Sequence, residues 1–388
     1  MKFLKNLIKI IAVILILLVA VLYITDTDYL LKAVRTIYLQ GHSTAYLDDY
    51  KHFDNRPIEA GEAQPWPNHA NYNTVEPTER LAQVNKEWGT VAFVIIKNDS
   101  IWFEKYYEDY NENSQSNSFS MAKSYVSGML GKAIMQGHIK SLDQPVCDFL
   151  PEFCEGKAAK MTVGDLSSMS SGTNWDEAYY SPLSITTRAY FDDDLEKVVT
   201  GLKVVNEPGQ AFKYASGDTQ MLALVLEKAT GKKLYAYLEE SFWKPLGSVN
   251  STLWQVDSEE HDLVKAYCCI ASNAKDFARF GKLYKDHGKW NGKQILDSTF
   301  VAKSITPRFA ESPEYGYGWW LKEQNGKDFF MMRGHLGQYV MAQPDDDVIL
   351  VRLGHQKSPD AGSGGYSSDI STYIEEAYQM LENGNALN

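Results

Sequence analysis

Ser120-Met121-Ala122-Lys123-Ser124-Tyr125-Val126-Ser127-Gly128-Met129-Leu130-Gly131-Lys132-Ala133-Ile134-Met135 is small or apolar nearly all round, the composition of a helix buried on every side. Its first residue is a serine, and a lysine follows three positions later. Residues three apart on a helix share a face, so the Lys123 amine comes within reach of the Ser120 hydroxyl. Burial lowers a lysine's pKa, which lets it take a proton from a nucleophile. The helix N-terminus adds backbone N–H groups and a positive dipole end, both of which stabilise a developing oxyanion.

Spacing alone does not select this serine, because Ser241/Lys244 and Ser272/Lys275 repeat it. Lys244 precedes Pro245, so Ser241 falls at a helix end and lacks the dipole. Ser272 precedes the amphipathic run Asn273-Ala274-Lys275-Asp276-Phe277-Ala278-Arg279-Phe280 and reads as an N-cap. A plain cap is also open to Ser120, and the downstream residues argue against it. Tyr214-Ala215-Ser216 stands just before a helix that starts near Asp218, and His335-Leu336-Gly337 stands at the entry to a strand. Tyr179-Tyr180-Ser181 and Tyr366-Ser367-Ser368 share the Tyr-x-Ser pattern, but neither lies ahead of a helix between the other two motifs.

Upstream of Ser120, the pattern predicts a helix from Thr78 to about Trp88. A β-hairpin follows, with strands Thr90–Ile96 and Ile101–Tyr107 around a turn at Asn98-Asp99. Downstream, residues of about 140–310 read as mostly helical, with helices at 218–241 and 272–286. Strands return at about 315–322, 328–333, 338–343 and 347–353, before an amphipathic helix at 368–382. Strands at both ends with helices between imply one sheet that joins the two ends, an α+β fold with an inserted helical part.

The N-terminus has a different character. Lys2, Lys5 and Lys9 lead into an unbroken apolar run, Ile10–Ile24. Counted from Leu7, with Lys9 snorkelling, the stretch is about the 17–25 residues a bilayer needs. Residues 1–25 therefore read as a transmembrane signal anchor contacting the membrane through residues 7–24. A cleaved signal peptide is the rival reading, but no A-x-A pattern follows Ala20. The flanking lysines put the N-terminus in the cytoplasm and the remainder on the extracytoplasmic, periplasmic side. Residues 26–77, with Pro57, Pro65, Pro67 and Pro77, read as an irregular extended tether packed on a main domain of residues 78–388.

A formal net charge of −12 excludes a nucleic-acid partner, since phosphate contacts require clustered Lys and Arg. Neither Cys147 and Cys154 nor the adjacent Cys268 and Cys269 have metal-ligand spacing. An oxidising location permits a Cys147–Cys154 bridge, with two buried thiols as the alternative. HExxH, Walker A and Gly-x-Gly-x-x-Gly motifs are absent, so neither a metal nor a cofactor is implied. The nearest approach to a nucleophile elbow is Gly41-His42-Ser43-Thr44-Ala45, which does not match.

The order and context of these motifs resemble the serine β-lactamase and penicillin-binding superfamily, in its esterase-like and 6-aminohexanoate-dimer-hydrolase-like branch. Met161-Thr162-Val163-Gly164-Asp165-Leu166 with Met169-Ser170-Ser171-Gly172, Trp243-Lys244-Pro245-Leu246-Gly247, and Tyr315-Gly316-Tyr317-Gly318-Trp319-Trp320 extend the likeness over about residues 78–385. The resemblance implies a β-lactamase/transpeptidase-like antiparallel sheet flanked by helices, with the site between the sheet and a helical subdomain. It also implies Ser120 as the acylated nucleophile, with Lys123 and Tyr214 sharing its proton and Ser216 holding that network. The backbone N–H groups of Ser120 and of Gln338, on an edge strand, would form the oxyanion hole, and Gly337 would let substrate approach.

His335 stands where better-known relatives have Lys. An unperturbed imidazole, with a pKa of about 6.5, is mostly neutral at pH 7 and anchors a carboxylate poorly. Small esters or amides are therefore expected to be better substrates than β-lactams. A cell-wall DD-peptidase and a non-turnover binding or sensor protein are the alternatives. A structural role remains open for His335. Trp175, Tyr179, Tyr180, Trp319 and Trp320 are each candidates for the pocket wall or for the core.

Overall fold

The computed structural model describes residues 1–362 and 365–385; residues 363–364 and 386–388 of the expected main domain lie outside the described residues. Helix α1 (Lys2–Ile24) carries the apolar run and has no buried side chain. Four residues later comes α2 (Tyr29–Thr36), and then strand β1 (Asn55–Ile58). The tether is therefore not irregular throughout. Pro57 reads as a breaker in sequence, but β1 lies at the edge of a sheet ordered β1-β5-β6-β4, where proline is tolerated.

Helix α3 (Glu79–Glu87) starts at Thr78, whose hydroxyl accepts from the Leu81 N–H at 3.0 Å. Strands β2 (Thr90–Lys97) and β3 (Ser100–Tyr106) form the expected hairpin, and a short β4 (Ser116–Asn117) leads to α4 (Ala122–Met135). The middle holds α5 (Val163–Ser167), α6 (Ile185–Phe191), α7 (Leu195–Thr200), α8 (Ser216–Thr230) and α9 (Leu234–Leu238). It also holds β5 (Thr252–Gln255) and β6 (Ile270–Ser272), which complete the small sheet and interrupt the helical reading. Next come α10 (Ala274–Lys285), the β7 (Lys289–Trp290) and β8 (Lys293–Gln294) hairpin, and α11 (Ser298–Ser304).

Strands β9 (Trp320–Gln324), β10 (Lys327–Gly334), β11 (Gln338–Gln343) and β12 (Val348–Gly354) precede the last helix, α12 (Ser368–Asn385). With β2 and β3 they build an antiparallel six-stranded sheet ordered β3-β2-β12-β11-β10-β9. Both ends of the chain thus share one sheet, as the pattern implies. The first of the later strands begins at Trp320 rather than 315, because Gly318 (φ +79°) turns the chain there.

Alternation along β2 explains its unbroken apolar sequence. Val94 and Ile96 face the core that contains α4 and α10, whereas Phe93 and Ile95 face the core under α12. Side chains two apart share a sheet face, so a strand covered on both sides is apolar at every position. Each such side chain contributes about 1.5–3 kcal/mol on full burial.

Helix α4 is buried from Ala122 to Gly131. It admits neighbours at close range through glycine, since a Cβ at Gly131 would stand 2.4 Å from the Phe300 ring. The hydroxyls of Ser124 and Ser127 donate to the carbonyls of Gly318 (2.6 Å) and Tyr317 (2.8 Å). These bonds fix the Tyr315–Trp320 turn beside the first turn of the helix.

Candidate active site

Phe119–Met121 forms one 3-10 turn immediately ahead of α4, with Phe119 in the left-handed region at φ +45°. Ser120 is partly exposed, whereas Lys123 is 3% exposed. The Lys123 Nζ donates to Ser120 Oγ at 3.0 Å and to the Tyr267 carbonyl at 2.9 Å. Burial brings the Lys123 ammonium down to about 8, against the upward pull of the Glu177 carboxylate. The Tyr214 ring lies 5.0 Å from Lys123 Nζ, and its hydroxyl is close enough to Ser120 for the serine to oppose the rise in its pKa. Burial and the Glu177 charge raise the phenol's pKa above its ordinary value, so Tyr214 remains protonated at neutral pH.

Ser216 opens α8, but its hydroxyl donates to Glu177 Oε1 at 2.6 Å and its N–H to Glu177 Oε2 at 2.8 Å. Trp175 Nε1 and the Tyr179 hydroxyl donate to the same carboxylate, at 2.7 and 2.6 Å. Glu177 is the residue that sequence reasoning missed. It lies in a loop with no helical or strand period, and nothing in its local spacing marks where four donors converge.

The 169–172 motif supports Tyr214 from behind. Lys213 N–H donates to the Met169 carbonyl at 2.8 Å. The Ser171 hydroxyl donates to Asp218 Oδ1 at 2.6 Å, a buried carboxyl pushed up to about 7 by desolvation.

His335 reaches the same cavity as Ser120 and Ser216. Its ring stacks on Tyr179 (centroids 5.3 Å apart) and meets Phe119 edge-on at 5.6 Å. Burial, assisted by Lys357, pushes the imidazole down to about 4, and Nε2 has no hydrogen-bond partner. At pH 7 it is neutral.

The strand at the third motif is not the expected edge strand, and Gln338 and Gly337 both pack inside the fold. Strand β11, which Gln338 begins, is internal and runs between β12 and β10. The Gln338 side chain is fully buried and bonds to β12, with Nε2 donating to the Gly354 carbonyl at 2.7 Å and Oε1 accepting from its N–H at 3.1 Å. Gly337 has φ +84°, and a Cβ there would meet Arg352 Nη1 at 2.3 Å. The need for glycine comes from this packing inside the fold.

The other serine–lysine pairs are separate from this site. Ser272 ends β6, and the cap of α10 is Asn273, whose side chain accepts from Asp276 N–H at 2.9 Å. Lys244 pairs with Glu239 at 2.6 Å. Among the aromatics, Tyr179 and Tyr180 line the cavity, Trp175 and Trp319 are buried, and Trp320 packs on Tyr214 at 5.4 Å. Both cysteine pairs are disulfides, Cys147–Cys154 and the adjacent Cys268–Cys269, and Cys268 lines the cavity.

The chain is 23% identical to the 6-aminohexanoate-dimer hydrolase of Paenarthrobacter ureafaciens over 72% of its length and 76% of that protein's. Its fold is similar to a penicillin-binding protein from Bacillus halodurans, with a TM-score of 0.60, 17% identity, and coverage of 77% of this chain and 99% of that one. It is also similar to a family VIII carboxylesterase, with a TM-score of 0.58, 16% identity, and coverage of 78% and 98% respectively. The sequence model of the family described as Beta-lactamase matches residues 79–367, from the first helix of the main domain to the strand-rich end, and the chain accordingly belongs to the β-lactamase family of serine hydrolases.

Proposed function

We propose that the chain is a membrane-anchored, extracytoplasmic hydrolase that cleaves small esters or amides through an acyl-enzyme on Ser120. The observation that carries this reading is the 3.0 Å contact between Ser120 Oγ and a buried Lys123 whose pKa lies at about 8. An amine of that pKa accepts a hydroxyl proton near neutral pH.

Ser120 Oγ attacks the substrate carbonyl and its proton passes to Lys123 Nζ. The tetrahedral intermediate collapses and expels the alkoxide or amine, which takes a proton from the Tyr214 hydroxyl. Lys123 then returns its proton to Tyr214. Water attacks the acyl carbonyl with Lys123 as base, releasing the acid and restoring Ser120. The oxyanion donors are the N–H of Ser120 and, in place of Gln338, the N–H of His335, whose residue shares the cavity with Ser120. Donors fixed in advance, with water excluded, are the larger part of such catalysis. Ser216 and Glu177 position Tyr179 and Trp175 around the site.

Neutral His335 favours an uncharged ester or amide over a β-lactam or a D-Ala carboxylate, and so favours this reading over a DD-peptidase. For the anchor, support comes from α1, which is long and apolar enough to cross a bilayer and buries none of its side chains.

The test uses the detergent-solubilised full chain, a fluorophosphonate probe, p-nitrophenyl acetate and nitrocefin. Ser120→Ala should lose both label and ester turnover, and wild type should hydrolyse the ester much faster than nitrocefin. Label persisting on the Ala variant would refute the nucleophile. D-Ala release from a muropeptide without ester turnover would favour the peptidase.

A further inference from the structure

The cavity that opens on Ser120 continues well past the reacting groups. Its volume is about 330 Å³, room for about ten methylene-sized groups at the ~30 Å³ a water molecule takes up in liquid. No Asp, Glu, Lys or Arg is among the described residues that line it. His335 is neutral, and Cys268 presents a disulfide rather than a thiol.

One part of the cavity wall comes from outside the family match. Leu30, Ala33, Val34 and Ile37 of α2 and the residue after it face the cavity, and α2 is seated through Ala33 and Ile37 on Phe53 and Phe191. At the mouth the apolar surface continues into solvent, with Tyr38 61%, Tyr180 77% and Leu183 70% exposed. Only residues 25–28 separate α2 from α1, and four residues reach at most about 14 Å, so the helix that forms this wall begins close to where α1 would leave a bilayer.

Resting on the reading of Ser120 as nucleophile, we infer that the substrate is an ester or amide of an unbranched acyl chain of about eight to twelve carbons, with the chain lying against α2 and the carbonyl at Ser120. The uncharged, mostly apolar lining matches the chain. It offers nothing to pair with a charged substrate, and burying an unpaired charge is costly. The chain length at which the benefit stops is set by the cavity. Each buried methylene up to that length should raise kcat/KM by about fourfold, the equivalent of its burial free energy.

The test is kcat/KM of the full chain in nanodiscs for p-nitrophenyl esters from acetate to dodecanoate, each below its aggregation limit. The expected result is a rise from acetate to about the decanoate and then a plateau. Val34→Asp and Tyr180→Asp alter half-exposed and exposed side chains, so folding should survive. Each should lower kcat/KM for the decanoate by at least tenfold more than for the acetate, flattening the rise. Rates that fall from acetate onward, or variants that slow acetate and decanoate equally, would overturn the inference while leaving the nucleophile intact. Loss of turnover on every ester, together with absence of fluorophosphonate label, would overturn both. A second arm offers diacylglycerol in phosphatidylcholine vesicles that hold the reconstituted chain. Fatty-acid release there assigns the bilayer as the source, whereas turnover of soluble decanoate alone assigns a dispersed acyl ester.

Discussion

Ser120/Lys123 and Ser272/Lys275 have the same spacing and lie in one fold, yet only the first pair meets. Lys123 is buried at the start of α4, bonded to Ser120 Oγ and a carbonyl, and forms no ion pair among the described residues. Lys275 points to the rim of the fold and pairs with Glu104 at 3.3 Å and with Glu112. Ser272 Oγ is buried and has no partner. Burial lowers a lysine's pKa, and at Lys123 it outweighs the opposing pull of the Glu177 carboxylate. What distinguishes the proposed catalytic lysine from its counterpart here is the company it keeps and its depth.

The largest expected effect concerns the serines. Ser120→Ala should lower ester kcat/KM by about 10,000-fold or more, the scale of removing a nucleophile, while Ser272→Ala leaves it within about twofold in the same assay. Next, Lys123→Met should cost about 1,000-fold, the scale of losing a positioned general base. Lys275→Met should leave turnover unchanged, and a large loss there would break the contrast.

A pH profile sharpens it further. With the Lys123 pKa lowered to about 8, the free base is the minor form at pH 7 and the major form above 8. Ester kcat/KM should therefore rise with pH, with a midpoint at about 8 and a plateau about tenfold above the pH 7 value. Glu177→Gln removes the charge that pulls this pKa upward, so the midpoint should move to lower pH. Unchanged titration would separate Glu177 from the lysine. The smallest effect is in stability. Replacing a buried hydroxyl that has no partner removes an uncompensated desolvation cost, so Ser272→Ala should raise thermal stability by about 1 kcal/mol or less, as read from a melting curve.

Where a residue's role follows from local period, the sequence revealed it. The hairpin around Asn98-Asp99, the buried α4 and the closing strands all follow from apolar spacing. Pairings made across long stretches of chain were not legible. Strands β5 and β6 are four and three residues long, too short to show alternation. Glu177 gains its meaning from donors at 175, 179 and 216. His335 of the third motif shares the cavity with Ser120, but the geometry there is set by Arg352 behind Gly337 and by the Gln338 bonds to β12, neither of which a linear pattern records. The α2 side of the cavity lies wholly in the segment that reads as tether.

Since every one of the four cysteines is bonded to another, the native surface offers no thiol to an alkylating reagent. A cysteine placed at Val34 or Tyr180 would be the single reactive sulfhydryl of the molecule. An environment-sensitive dye attached there would report occupancy of the cavity mouth directly, with no natural residue to be removed first.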